Sequence, residues 1–370
     1  MGSELKVLLV SEGSGGHLIP ALEVASLLAR TGAHIKVWYV ERPQTARFVQ
    51  ALTRHAEEPS VDVDPIPLRS SANPLERLWQ CGQLWHRAER CFETFSPDVV
   101  VGFGGWVSAP VVLAARRRRI GCLLHEQNVL LGRANRLLAR WVDGVAVSFR
   151  ETQVRYHRVA SVMTGMPVRG GIGHSSRVQG AQRFDLNPNQ PTLLIVGGSQ
   201  GARPINHLMT RVATRLSPHE RQTWQVIRLV GAIDETPIKK AYAACGLTAW
   251  VAPFLLEMET AYAQADLVIA RAGASTIAEL ARCGKPAILI PYPYAGAHQR
   301  ANAQLVEAMG GGLMIEESQA SPERILSIIR RIVADQRLRV MMGQQMHALH
   351  RSDAAQRLTQ AIVELAHAGR

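Results

Sequence analysis

The chain has 370 residues, too many for one ordinary core and enough for two. Hydrophobic residues make up 47% of it, which excludes a disordered chain. The formal net charge of +12 comes almost wholly from arginine and divides evenly, with 21 basic and 15 acidic residues in 1–170 and again in 171–370, which excludes a basic nucleic-acid tail.

In chain order, short apolar runs alternate with segments of helical period, the pattern of parallel sheets with crossover helices. The first strands are expected at Lys6–Val10, His34–Val40, Val99–Gly102, Gly121–His125 and Gly144–Ser148. Helices fall between them at Ala21–Arg30, Leu75–Phe95, Val107–Arg118 and Ala134–Trp141. Leu5–Val10 reads as a strand and not as the apolar region of a signal peptide. No run reaches the roughly 18 apolar residues of a membrane span. The polar stretch Gly170–Pro191 reads as a linker. The pattern then restarts, with strands at Thr192–Val196, Gln225–Val230, Ala249–Ala252, Leu267–Ile269, Ala287–Ile290 and Gly312–Ile315, followed by C-terminal helices. Five cysteines (Cys81, Cys91, Cys122, Cys245, Cys283) follow no metal-ligand spacing, and their odd number suits a reducing cytoplasm.

Each half opens with a strand, a glycine-rich turn and a helix: Val7–Val10 then SEGSGGH, and Leu193–Val196 then GGSQGAR. Such turns aim backbone N–H groups and the positive helix end at one point, where a phosphate binds. One turn of this kind marks any α/β protein. Two of them suggest two Rossmann-like domains facing a cleft. A third element, Arg271-Ala-Gly-Ala-Ser-Thr-Ile-Ala-Glu279, follows the strand Leu267–Ile269. Ala274, Ser275 and Thr276 sit at a helix start and offer donors to phosphate, and Glu279 follows one turn later, suited to the two hydroxyls of a ribose.

Seven blocks carry a resemblance: GSGGHLIPALEVA (13–25), GFGGWVSAPVVLAA (102–115), HEQN (125–128), GMPVR (165–169), VGGSQGAR (196–203), RAGASTIAEL (271–280) and PYPYAGAHQRANA (291–303). In this order the chain resembles the MurG family of peptidoglycan glycosyltransferases, of GT-B fold. The resemblance implies an α/β architecture of two doubly wound domains, 1–169 facing acceptor and membrane and 192–350 holding the donor, with 351–370 packing back on the first. It implies inverting transfer of N-acetylglucosamine from its UDP donor to the 4-hydroxyl of lipid I, giving lipid II, with no cofactor and no metal. On the donor, Glu279 matches the ribose residue, Ser199, Gln200 and Gly201 the diphosphate loop, Ala274, Ser275 and Thr276 the α-phosphate site, Leu255 the uracil segment, and His298 and Gln299 the sugar pair. Ser14, Gly15, Gly16, Asn128 and Arg169 match residues that close over the substrates. His17 is the first candidate for the base that takes the acceptor proton, and Glu126 the second.

The same resemblance places the chain on the cytoplasmic face of the cell membrane, bound peripherally to anionic lipid, with other cell-wall synthesis proteins as partners and no nucleic acid. Leu75, Leu78, Trp79 and Leu84 or Trp85 form an apolar stripe at helical spacing. Arg116, Arg117, Arg118, Arg119, Arg133, Arg136 and Arg140, with Trp141, supply charge and an interfacial ring. Three departures stand out. Glu12 replaces the first glycine of the usual GGTGGH, Met166 replaces the asparagine of GNPVR, and Phe254-Leu-Leu-Glu-Met258 replaces FIDDM. The competing readings are a UDP-sugar epimerase, a transferase to another lipid, or a scaffold of the cell-wall machinery.

Overall fold

The computed structural model describes residues 4–41, 60–68, 73–155, 159–198, 202–294 and 297–368. The chain forms two compact units, Met1–Arg169 with Arg351–Arg370, and Gly170–His350.

In the first unit, β1 (Lys6–Ser11), β2 (His34–Val40), β3 (Val61–Ile66), β4 (Val99–Gly102), β5 (Gly121–Glu126), β6 (Gly144–Val147) and β7 (Ala160–Met163) make one parallel sheet in the order β3-β2-β1-β4-β5-β6-β7. The central strands are continuous apolar runs because helices cover both faces, and Val7–Val10 and Val99–Val101 are fully buried. The edge strands β3 and β7 were not expected from the sequence. Burial on an edge is partial, so VDVDPI and ASVM lack a continuous apolar run, and an edge tolerates Pro65. The helices are α1 (Gly15–Ala29), α2 (Pro74–Thr94), α3 (Ser108–Arg117) and α4 (Arg133–Leu138). Asn73 starts α2 by accepting from the Leu75 N–H, with Pro74 in the first turn. Leu84, Ala88, Cys91 and Phe92 then bury one face of α2.

In the second unit, β8 (Thr192–Val196), β9 (Gln225–Leu229), β10 (Thr248–Ala252), β11 (Leu267–Ala270), β12 (Ala287–Leu289) and β13 (Gly312–Met314) form a parallel sheet in the order β10-β9-β8-β11-β12-β13. Its helices are α5 (Arg177–Phe184), α6 (Arg203–Ala213), α7 (Pro218–Thr223), α8 (Thr236–Ala244), α9 (Met258–Gln264), α10 (Ala274–Cys283), α11 (His298–Ala308), α12 (Pro322–Ala334) and α13 (Gln336–His347). Helix α5 corrects the expected linker at 170–191. Ser176 and Gln179 form a capping box, and the Arg177 guanidinium grips both Asp266 oxygens, at 3.2 and 2.8 Å. The polar residues of this segment are fasteners for a docked helix. The final helix, α14 (Ala354–Ala368), belongs to the first unit, where Leu358, Ile362 and Ala366 join the core built by β1, α1 and β4.

In each sheet the winding reverses once, between β1 and β4 and between β8 and β11. A doubly wound sheet binds its ligands beyond the strand C-termini at such a point, because the two flanking connections leave in opposite directions and open a crevice.

Candidate active site

At the first reversal, β1 leads through Glu12–Ser14 into α1. Gly13 has no substitute, because a Cβ there would stand 1.7 Å from the Val40 carbonyl oxygen. Ser14 is the N-cap residue of α1, yet its hydroxyl makes no capping bond and lies 2.6 Å from His17 Nδ1. The helix therefore starts, with Gly15 and Gly16 in its first turn, without a capping bond from its N-cap side chain. Ser14, Gly15, Gly16 and His17 are all partly exposed.

Behind this loop, the end of β5 carries the HEQN segment. Glu126 is 1% exposed. Its carboxylate accepts from the Asn128 N–H at 2.9 Å, Asn128 Nδ2 at 3.0 Å, the Gly132 N–H at 2.8 Å and Asn135 Nδ2 at 2.9 Å. Glu126, the second candidate for the base, thus sits in a structural network. Both oxygens are committed to the loop that presents Asn128 and to the start of α4. The neighbouring His125 is fully buried, with Gln127 Nε2 3.1 Å from its Nδ1 and the Gly165 carbonyl 3.3 Å from its Nε2. Burial pushes its pKa down to about 4, helped by the charge of His17 and opposed by the Gly165 bond. Its ring is a neutral support. Met166, at an asparagine position of the family pattern, is buried with its sulfur 3.8 Å from the Ser148 hydroxyl. Arg169, partly exposed, closes the first stretch of this unit.

At the second reversal, Ser199, Gln200 and Gly201 lie outside the described residues. The other flank is well defined. Helix α10 starts at Ala274 after Gly273, again with no side-chain cap, and Ser275 and Thr276 in its first turn are partly exposed. Glu279 is 8% exposed, and the Tyr262 hydroxyl donates to its Oε2 at 2.8 Å. Leu255 is buried, and Phe254 and Leu256 beside it are exposed. His298 opens α11, and Gln299 Oε1 accepts from the Tyr292 N–H at 2.9 Å.

Three residues of this site have roles that the sequence did not assign. Arg271 donates to the Ile290 and Pro291 carbonyls at 3.1 Å, pairs with Glu317 at 2.5 Å and lies 5.4 Å from the Tyr292 ring centroid. It fastens the start of the segment that leads to His298. Asn302 Nδ2 donates to the Ala272 carbonyl at 3.1 Å, tying α11 to the turn before α10. Tyr262, on α9, orients Glu279. None lies within a recognisable spacing of its partner, so only the fold pairs them.

The proposed membrane residues separate into two groups. Helix α2 runs down to the start of β4 and is roughly 30 Å long, so its first turn lies at the strand C-terminal edge. There Leu75, Leu78 and Trp79 are exposed at 76%, 70% and 63%. Leu84 is buried and Trp85 is half-buried against the core, so neither continues the stripe. Helix α3 leaves the C-terminal end of β4 and returns to the start of β5, which puts Arg116–Arg119 at the opposite edge. Arg118 pairs with Glu89 and Glu93, at the far end of α2, and Arg116 with Asp143. The arginine run is therefore not beside the apolar stripe. Arg133, Arg136 and Arg140 are exposed on and after α4, and the Arg140 guanidinium lies 4.7 Å from the Trp141 ring centroid.

Residues 7–147 match the glycosyltransferase family 28 N-terminal domain, and residues 192–358 the C-terminal domain of that family. A curated relative from Syntrophotalea carbinolica, named UDP-N-acetylglucosamine--N-acetylmuramyl-(pentapeptide) pyrophosphoryl-undecaprenol N-acetylglucosamine transferase, is 36% identical over 96% of this chain and 97% of its own. One of the same name from Mesorhizobium japonicum is also 36% identical, over 95% of this chain and 93% of its own. The crystal structure of Acinetobacter baumannii MurG superposes with a TM-score of 0.74 at 27% identity, covering 97% of this chain and 99% of that one. A UDP-GlcNAc 2-epimerase from Neisseria meningitidis bound to UDP-GlcNAc reaches 0.70 at 12% identity, over 97% and 100%, a likeness of fold alone. With near-complete coverage at such identity, this chain is a GT-B glycosyltransferase and belongs to the MurG family.

Proposed function

We propose that this chain transfers N-acetylglucosamine from UDP-N-acetylglucosamine to the 4-hydroxyl of lipid I with inversion at the sugar C1, making lipid II. The observation that carries the reading is the uncapped α10 start beside a buried carboxylate. Its N–H groups suit a diphosphate, and Glu279, held by Tyr262, suits the ribose hydroxyls. Leu255 meets the uracil through its main chain, since its side chain is buried. His298 and Gln299 take the sugar, with Ser199, Gln200 and Gly201 on the diphosphate. The helix N-terminus stabilises charge as it builds on the leaving UDP. On the acceptor side His17 takes the hydroxyl proton at Nε2, with Nδ1 steadied by Ser14. Asn128, placed by Glu126, and Arg169 line the approach.

The test is UDP release with donor and acceptor varied in turn. Release that requires both UDP-N-acetylglucosamine and lipid I supports the reading, and turnover of the donor without lipid I sinks it in favour of an epimerase-type enzyme.

We propose further that the chain docks peripherally on the cytoplasmic leaflet at the catalytic edge. Leu75, Leu78 and Trp79 enter the headgroup region, and Arg133, Arg136 and Arg140 meet anionic lipid. Sedimentation with vesicles containing anionic lipid checks this. Leu78→Ser with Trp79→Ser weakens binding, and Arg117→Ser with Arg119→Ser changes it little. The reverse ranking would move the docking face to the other edge.

A further inference from the structure

Glu12 departs from the family pattern, and its surroundings give it a use. Two consecutive glycines follow β4, Gly104 and Gly105, with φ of +90° and +82°. Both turn bare backbone toward the β1–α1 loop. A Cβ on Gly104 would stand 3.0 Å from His17 Cδ2 and 3.1 Å from its Nε2. A Cβ on Gly105 would stand 2.6 Å from Glu12 Cβ and 2.8 Å from its Oε2. The Glu12 carboxylate and the Nε2 edge of His17 thus rest on neighbouring residues of one glycine shelf.

A base that works through Nε2 becomes an imidazolium as it takes the proton. The Ser14 hydroxyl orients the ring at Nδ1 but carries no charge to offset that cation. A nearby carboxylate does. His125, on β5, is neutral, the shelf brings no charge, and Gln127, whose Oε1 lies 3.6 Å from the Gly104 Cβ position, is neutral. Glu126 is spent on the loop beyond. A carboxylate at this loop also repels phosphate, which suits a loop that receives a hydroxyl.

We propose that Glu12 is a positioning residue for His17, its carboxylate stabilising the imidazolium formed when the acceptor hydroxyl is deprotonated. This rests on His17 being the base. The acceptor oxygen bonds the sugar C1, its proton passes to His17 Nε2, and the C1–O bond to UDP breaks with its electron pair on the diphosphate.

The test uses the full chain with Glu12→Gln, which keeps the side-chain shape and removes the charge. Two quantities are read: the His17 ring titration by NMR, assigned through its loss in His17→Gln, and the acid limb of kcat/KM. A carboxylate favours the charged ring and raises its pKa, so Glu12→Gln lowers the His17 pKa by about one unit. The acid limb follows to lower pH, and UDP affinity stays unchanged as the check on folding. An unchanged His17 titration overturns the proposal. A more than hundredfold loss of kcat with unchanged titration also overturns it and makes Glu12 the base. A shifted titration that the acid limb does not follow removes His17 as base, and Glu12's role with it.

Discussion

The helix starts at the two sheet reversals differ in what they present. At α10 the groups are backbone N–H, two hydroxyls and a carboxylate that is 8% exposed and pinned by the buried Tyr262. At α1 they are partly exposed side chains, Ser14 and His17, resting on glycines. The first arrangement suits a ligand recognised by fixed geometry. The second suits a proton that must move. Recognition built from backbone and buried anchors is preorganised and costs little reorganisation, whereas a base must keep a titrating edge open to its substrate.

The comparison breaks if the two sites share their duties. His17→Ala should lower kcat by about 10²- to 10⁴-fold, the usual worth of general-base catalysis, with UDP affinity intact. Steady-state UDP release with calorimetry checks both, and an equal loss in UDP affinity would merge the two roles. A second outcome concerns the support behind the acceptor loop. The His125 pKa of about 4 lies below the ordinary 6.5, so the unfolded chain takes up a proton first as pH falls. Its contribution is intact above pH 6.5 and lost toward pH 4, a change on the order of 3 kcal/mol. Hydrogen exchange at pH 7 and pH 4.5 should show the first unit losing protection before the second, and His125→Gln should flatten that dependence. Third, Glu279→Gln should weaken UDP binding about 10- to 100-fold, the range of hydrogen bonds to a charged group. Unchanged affinity would remove the ribose role. Smallest, Tyr262→Phe should weaken UDP binding several-fold, about 1 kcal/mol, through a less fixed carboxylate.

The sequence made the central strands and the α10 start legible, because buried parallel strands are unbroken apolar runs and tight βα turns demand glycine, whereas α1, expected from Ala21, already begins at Gly15 inside the glycine-rich turn. The edge strands were hidden by partial burial, and α5 by its polar fasteners. Residues that share one motif, such as Ser14 and His17, are brought together by local structure. Tyr262 and Glu279, or Arg271 and Glu317, come from separate elements, and nothing local pairs them. The environment of Glu126, four donors converging on one carboxylate, exists only once β5, its loop and α4 are assembled.

The final helix, α14, completes the first unit from the far end of the chain. Leu358, Ile362 and Ala366 fill a core otherwise made by residues before 150. During synthesis, the second unit has every strand and helix it needs once Met346 and its neighbours have emerged, whereas the first still lacks one wall. The usual order, N-terminal domain first, is thus inverted for completion. Until α14 arrives, the nascent first unit carries an open apolar face, the kind of surface that makes a partly folded chain prone to aggregate.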